Sequence, residues 1–319
     1  MKEFTLIDTF FKEKGYQRKD VMLGIGDDCA LTQVPQGQWL ATTTDTLVEG
    51  VHFLPDSPAR AVAHKAMAVN LSDLAAMGAD PCWINLSLSL PNADEAWLGE
   101  FSAGLRELCE YYSVQLIGGD TVRGPLSITI TAQGFVPENQ ALTRKGARPG
   151  DFVFVTGTLG DAGLGLDLLL GKANLSGKDR QFAIDRHRFP TPRVSTGAML
   201  RRIAHACIDI SDGLLADLGH ILKQSHCGAT LDLDKLPLSA AMQSLNDREK
   251  ALEYALSAGD DYELLFTVSE EQKGNLDTVL ANYNLKATCI GQLNGQAGKL
   301  DLRLHGEAYS FQGQGYQHF

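Results

Sequence analysis

The chain has 319 residues, 44% hydrophobic and 21% charged, with a formal net charge of -11. That length favours two domains, each able to bury a core. The acidity, with no dense Lys/Arg cluster to offset it, excludes broad nucleic-acid binding, which normally shows a basic face. No apolar run reaches the roughly 18 residues of a membrane helix, and the first eight residues carry acids and no cleavage pattern, unlike a signal peptide. The six cysteines (29, 82, 109, 207, 227 and 289) are scattered without Cys-x-x-Cys spacing. Reduced thiols in a cytoplasmic protein are expected.

In chain order, an amphipathic helix is expected over residues 4–15, where Leu6, Ile7, Phe10 and Phe11 fall at helical spacing. Short strands follow over 21–25 and 39–44, with 29–33 also extended. Helices are expected over 59–69 and 72–77, the second ending at Gly78. A strand over 83–90, a long helix over 94–112, a four-residue β run over 114–117 and a strand over 127–136 complete the first half. Strands and helices mix there without strict alternation, so an α+β domain is expected over 1–137. The turn-rich stretch 137–151 is the candidate linker. A second, α/β domain over 138–319 accommodates strands over 152–156, 206–210, 229–233, 262–268 and 287–290. Its helices are expected over 161–170, 212–222 (with Ser211 as cap) and 270–283.

Six acidic clusters set among small or hydroxyl residues carry the functional signal: Gly26-Asp27-Asp28, Thr43-Thr44-Asp45-Thr46, Asn70-Leu71-Ser72-Asp73, Gly118-Gly119-Asp120-Thr121, Asp209-Ile210-Ser211-Asp212-Gly213 and Gly259-Asp260-Asp261. Singly, each has a plain structural reading: a turn or cap for Asp45, helix surface for Asp73, an Asx turn for Asp120, a first-turn helix acid for Asp212. Jointly they pose an electrostatic problem, because two carboxylates about 4 Å apart repel by roughly 4 kcal/mol at an effective dielectric near 20. Converging clusters need cations or must hold protons. Hard oxygen donors suit Mg²⁺, so the pattern points to a multi-metal site handling phosphates.

Familiar nucleotide motifs are missing. No Gly-Lys is followed by Ser or Thr, and there is no His-Arg-Asp or Asp-Phe-Gly set. The turn Thr156-Gly157-Thr158-Leu159-Gly160-Asp161-Ala162-Gly163 is reminiscent of a dinucleotide-binding loop, but its spacing is not Gly-x-Gly-x-x-Gly. It reads as a close-packed turn or as a phosphate-contacting loop.

The segments Gly24-Ile25-Gly26-Asp27-Asp28-Cys29-Ala30, Thr44-Asp45-Thr46-Leu47-Val48-Glu49-Gly50-Val51-His52-Phe53, Asn70-Leu71-Ser72-Asp73-Leu74-Ala75-Ala76-Met77-Gly78, Gly118-Gly119-Asp120-Thr121, Asp209-Ile210-Ser211-Asp212-Gly213-Leu214 and Asp261-Tyr262-Glu263-Leu264, in that order, resemble the thiamine-monophosphate kinase family. The wider superfamily includes aminoimidazole ribonucleotide synthetase and selenophosphate synthetase. The resemblance implies a two-domain, aminoimidazole ribonucleotide synthetase-like α+β fold and a homodimer, with the N-terminal mixed α/β domains forming the dimer sheet or barrel. It implies transfer of the γ-phosphoryl group of ATP to thiamine monophosphate, with several Mg²⁺ ions. By matching position it implies metal ligands at Asp27, Asp28, Thr43, Thr44, Asp45, Asp73, Asp120, Asp209 and Asp212. Gly119, Asp120, Arg144 and Ser211 would meet ATP, and His52, Asp260 and Tyr316 the thiamine phosphate, with Asp120, Arg144 and Asp212 catalytic.

The chain departs from the family twice. It has Asp260 where Glu is usual before Asp-Tyr-Glu, and its C-terminus reads Gly315-Tyr316-Gln317-His318-Phe319 where the family has Gly-Trp/Tyr-Asp-His-Phe. The competing expectations are another ATP-using enzyme of the superfamily, a non-catalytic Mg-nucleotide module, and a reductase built on the Thr156 turn.

Overall fold

The structure is a computed structural model that describes residues 2–12 and 14–313. Tyr316, expected at the substrate, lies outside the described residues. The chain divides into two compact units. Unit 1 holds the described residues up to Leu74 and those from Ala79 to Asn139; unit 2 holds Ala75–Gly78 and the described residues from Gln140 on.

Unit 1 runs α1 (Glu3–Phe10), β1 (Val21–Leu23), β2 (Leu31–Thr32), β3 (Gln38–Val48), α2 (Ala59–Ala76, whose last two residues fall in unit 2), β4 (Asp80–Leu90), α3 (Glu95–Tyr112), β5 (Gln115–Arg123) and β6 (Ser127–Pro137). Its four-stranded sheet has the order β3-β6-β4-β5, antiparallel except between β4 and β5. Alternation puts Ile128, Ile130 and Ala132 of β6 into the core, where Ile84, Leu86 and Leu88 of β4 join them. Helix α3 buries Leu98, Phe101, Leu105 and Leu108 along one stripe. Asp94 caps it by accepting the N–H groups of Ala96 and Trp97, and Ser113 closes it at φ 57°.

Three expectations for this unit change. The two helical pieces over 59–69 and 72–77 are one helix of 18 residues. Asn70, between the two expected pieces, donates its Nδ2–H to the Ala66 carbonyl inside the helix. Gly78 does follow the helix end, at φ +64°. Strands β3 and β5 also run past the clusters expected at their ends. Thr43–Asp45 lies mid-strand, because β6 pairs with β3 along all 11 residues. Asp120 lies within β5, opposite Ser87 of β4.

Unit 2 continues with β7 (Phe152–Thr156), α4 (Asp161–Leu169), α5 (Gly177–Arg188), α6 (Val194–Leu200), β8 (Ala206–Asp209), α7 (Leu214–Ser225), β9 (Gly228–Asp232), α8 (Ala240–Gln243), α9 (Arg248–Ser257), β10 (Leu264–Val268), α10 (Lys273–Asn282), β11 (Ala287–Asn294), β12 (Leu300–Leu304) and β13 (Glu307–Tyr309). Its seven-stranded sheet has the order β13-β12-β9-β11-β7-β10-β8, with β12 and β9 the parallel pair. Val153, Val155, Ile208, Leu265 and Ile290 from the strands pack with Leu214, Leu218, Ile221 and Leu222 of α7. Helices α5, α6, α8 and α9 and strands β12 and β13 were not expected from the sequence. In α5 only Ala183, Ile184 and His187 are buried, too few for a helical hydrophobic stripe.

Candidate active site

In unit 1, strand alternation sends Thr43 and Asp45 to one face and Thr44 to the other. Thr43 Oγ1 donates to Asp73 Oδ2. The Asp45 backbone N–H donates to Asn70 Oδ1 at 3.2 Å. Asn70 and Asp73 sit three residues apart on α2, so one helical face presents both to the strand. Burial, and secondly the charge of Asp73, raises the Asp45 carboxyl to about 6. Thr44 stands apart from this group: its hydroxyl meets Thr131 Oγ1 at 2.9 Å on the opposite face.

Asp27, Asp28, Gly119 and Asp120 line a second feature of unit 1, a cleft of about 610 Å³ that is also lined by Ile7 and Asp8 of α1 and by Lys12 just beyond it. The Asp28 N–H donates to Asp27 Oδ1 at 2.8 Å. Gly119 is required by close approach, since a Cβ there would stand 1.8 Å from the Leu86 carbonyl oxygen. The bare backbone leaves the cleft floor open beside Asp120. His52 lies in the turn after β3, where its Nδ1 accepts the Val48 N–H at 3.0 Å. That bond needs an unprotonated Nδ1 and so places the neutral ring's proton on Nε2. Lys65 Nζ, on α2, donates to the His52 carbonyl at 3.2 Å.

Unit 2 carries Asp209, Ser211, Asp212, Asp260 and Arg144. Asp209 is buried at the end of β8, paired in register with Leu264. The loop that follows does not match the expected cap. Helix α7 starts at Leu214, not Asp212, and its N-cap residue is Gly213, which makes no side-chain bond. Instead Asp217, inside the helix, reaches back and accepts the N–H groups of Ser211 and Asp212, both at 3.1 Å. Burial raises the Asp217 carboxyl to about 7, against the opposing pull of those backbone bonds. Nothing in the sequence marked Asp217, which reads as an ordinary helix acid.

The segment carrying Asp260 lies along this loop. The Asp260 N–H donates to the Ser211 carbonyl and the Tyr262 N–H to the Ile210 carbonyl, each at 2.8 Å. Asp260 and Tyr262 hold φ 61° and 51°, a left-handed conformation that explains why β10 begins at Leu264 and not at residue 262. Tyr262 OH donates to Asp260 Oδ1 at 3.1 Å, and His187 Nδ1 stands 3.6 Å from Oδ2.

Arg144 is exposed in the stretch expected as a linker, and its main chain is fixed by α7. Ser225, the last residue of that helix, donates its hydroxyl to the Arg144 carbonyl and accepts the N–H groups of Gly146 and Ala147, all at 3.2 Å. Ser225 is a second residue that the sequence did not single out.

The Thr156–Gly163 turn is a packed structural turn. A Cβ on Gly157 would stand 2.1 Å from Glu263 Oε1, and one on Gly160 would stand 2.6 Å from the Ala255 backbone nitrogen. The Gly160 N–H already donates to Asp261 Oδ2 at 2.8 Å. Burial holds that Asp261 carboxyl well above its ordinary range. Glu263, 0% exposed, accepts from Arg186 at 2.9 Å and from Arg193 Nε and Thr156 Oγ1 at 2.6 Å each.

Within unit 1 the structure thus brings Thr43, Asp45 and Asp73 together, and separately Asp27, Asp28, Gly119 and Asp120. Within unit 2 it joins Ser211, Asp212 and Asp260. Among the described residues, the closed group of three His, Cys, Asp or Glu ligand atoms within 4.8 Å is Asp212, Asp217 and His220.

Each of the two compact units thus carries acids set among small or hydroxyl residues. The N-terminal domain model of AIR synthase related proteins matches residues 26–136, and the C-terminal domain model matches residues 148–302. The chain is 52% identical to the thiamine-monophosphate kinase of Escherichia coli (strain K12), over 99% of this chain and 98% of the relative. The crystal structure of thiamine-monophosphate kinase from Stenotrophomonas maltophilia K279a matches with TM-score 0.85 at 46% identity, over 92% of this chain and 93% of that one. AaThiL complexed with AMPPCP and TMP matches with TM-score 0.78 at 36% identity, over 92% of each chain. The chain belongs to the AIR synthase related family and, within that class, to the thiamine-monophosphate kinases.

Proposed function

We infer that this protein transfers the γ-phosphoryl group of ATP to thiamine monophosphate, giving thiamine diphosphate and ADP. The observation that carries the reading is 52% identity to a thiamine-monophosphate kinase along 99% of the chain. A relative solved with AMPPCP, an ATP analogue, and TMP supports the substrate pair. The acceptor is a phosphate that is already anionic at neutral pH, so direct in-line transfer needs positioning and charge neutralisation more than a strong base.

The donor chemistry fits Mg²⁺. Thr43, Asp45 and Asp73 offer hard oxygens, and a bound cation would offset the burial and, secondly, the Asp73 charge that raise the Asp45 carboxyl. Asp27, Asp28 and Asp120 of unit 1, and Asp209 and Asp212 of unit 2, are oxygen donors of the same kind. Bound Mg²⁺ supplies neutralisation of phosphate charge. In this proposal Gly119 lets phosphate oxygens come close to backbone, Ser211 donates to them, and Arg144 adds a fixed positive charge. His52 and Asp260 contact the thiamine phosphate. The shorter Asp260 is held by Tyr262 and lies beside His187, which keeps it in one orientation despite the missing methylene.

A coupled ADP-release assay with Mg-ATP tests the reading. Release should require thiamine monophosphate and should be absent with free thiamine. Mg-ATP binding without acceptor-dependent ADP release would point to a binding module, and release with an unrelated acceptor to another enzyme of the class.

Mg²⁺ binding should depend on pH in a stated direction. The Asp45 carboxyl is raised from 3.8 to about 6, so the protonated form favours the folded apo-protein. Its contribution is fully present below about pH 4 and is lost as pH rises through about 6. Mg²⁺ must displace that proton at low pH, which lowers its affinity by about tenfold for each pH unit below about 6. The rise in Tm on adding MgCl₂ should therefore be larger at about pH 7.5 than at about pH 5. Equal shifts by scanning fluorimetry would remove Asp45 from the metal site.

A homodimer belongs to the same proposal. β3 is an 11-residue edge strand that pairs with β6 on one side, and it exposes Trp39 (48%) and Leu40 (42%). Such an edge calls for a partner. Light scattering should give about twice the chain mass of 34.5 kDa, and a monomer at micromolar concentration would contradict it. No described helix is long and apolar enough to cross a membrane. A cytoplasmic location is proposed with the rest, supported by six cysteines that stand as free thiols.

A further inference from the structure

The Ser211–Asp212 loop is held from two sides. On one side Gly259 packs so closely that a Cβ would stand 2.4 Å from the Ser211 carbonyl oxygen, which also accepts the Asp260 N–H at 2.8 Å. On the other side a single oxygen, Asp217 Oδ2, accepts the N–H groups of both Ser211 and Asp212 at 3.1 Å. Asp217 is 2% exposed, and its place on the fourth residue of α7 fixes where that oxygen stands. A carboxylate shielded from water and gripping two consecutive N–H groups orients the backbone between them. Because Gly213 supplies no cap, Asp217 is the side chain through which α7 sets the loop ahead of it.

We propose that Asp217 is a positioning residue of the phosphotransfer site. It holds Ser211 and Asp212 in the conformation in which they meet the ATP phosphates and the metal, and touches neither itself. The proposal rests on the assignment of Ser211 and Asp212 to that site. Its rival is direct metal ligation, since ligand atoms of Asp212, Asp217 and His220 lie within 4.8 Å of one another.

The two roles demand different chemistry at residue 217. Positioning needs a neutral or charged acceptor oxygen at one place, whereas ligation needs the negative charge. Asp217→Asn can keep an acceptor oxygen there; Asp217→Ala removes it; Asp217→Glu keeps the charge but displaces the oxygen by one methylene.

Steady-state kinetics on the full chain decide between them. Asp217→Ala and Asp217→Glu should each raise KM for Mg-ATP by about tenfold or more, with KM for thiamine monophosphate within about twofold. Asp217→Asn should stay within about threefold of wild type, with an unchanged Mg²⁺ concentration for half-maximal rate. The proposal is overturned if Asp217→Glu is tolerated and Asp217→Asn is not, or if Asp217→Asn raises the Mg²⁺ requirement about tenfold. It is also overturned if both KM values rise together, which is the mark of a general structural role. Should Asp217→Ala not fold, the Asn and Glu pair settles the matter. Asp212→Asn is run alongside: normal activity there would sink the underlying site assignment, whatever the Asp217 variants do.

Discussion

Asp120→Asn and Asp212→Asn, made separately, should each lower turnover of ATP and thiamine monophosphate by about 100-fold or more, with thermal unfolding within a few degrees of wild type. Asp120 is exposed on β5 and Asp212 half-buried before α7, so the isosteric change costs little packing. What it removes is charge, at the two acids the proposal places on metal and phosphate. Neither side chain is needed to hold its own backbone in place. The Asp120 backbone is fixed by the pairing of β5 with β4, and that of Asp212 by Asp217. Activity assays beside circular-dichroism melts separate lost chemistry from lost fold. Near-normal turnover in both variants would dismiss the site.

The second large effect concerns stability. Glu263→Ala should destabilise unit 2 by about 3–5 kcal/mol, because it removes a buried carboxylate that two largely buried guanidinium groups share. Arg186 and Arg193 side chains are 12% and 29% exposed, against 1% for Glu263. The Thr156 hydroxyl loses an acceptor as well, while it still accepts the Leu264 N–H at 2.8 Å. At about 2–4 °C for each kcal/mol in a domain of this size, the melting transition should fall by roughly 6–20 °C. Calorimetry measures it directly. A fall of no more than about 2 °C would mean that the cluster contributes little to folding.

Much of this architecture was legible in the sequence. Runs such as Phe152–Thr156 and Leu264–Val268 announce buried strands, and the family order of the acidic clusters announces the class. The acids of β3 and β5 were recognised, but their place within the strands was not, because polar residues in an edge or cleft-facing strand read locally as loop. Thr44 shows the limit of reading residues by cluster: alternation turns its side chain away from its neighbours Thr43 and Asp45. Helix α5 escaped notice because Arg186 binds a carboxylate 77 residues away, and an ion pair leaves no hydrophobic period. Asp217 and Ser225 escaped for a related reason. Each acts on a backbone whose position is set only by the fold.

Those two residues share α7, and that has a mechanical consequence. They lie eight positions apart, so at about 1.5 Å per residue the helix keeps their anchor points roughly 12 Å apart along its axis. One end grips the loop of Ser211 and Asp212, and the other grips the turn of Arg144. The helix is in effect a spacer of set length between a serine and an arginine that both face phosphate in the proposed reaction. Its two grips are unequal: the Asp217 end is buried, whereas the Ser225 end borders His226, a non-glycine residue at φ 54°. Fraying of the last turn would free the arginine while the serine stays registered. Amide exchange should therefore be faster at Gly146 and Ala147 than at Ser211 and Asp212.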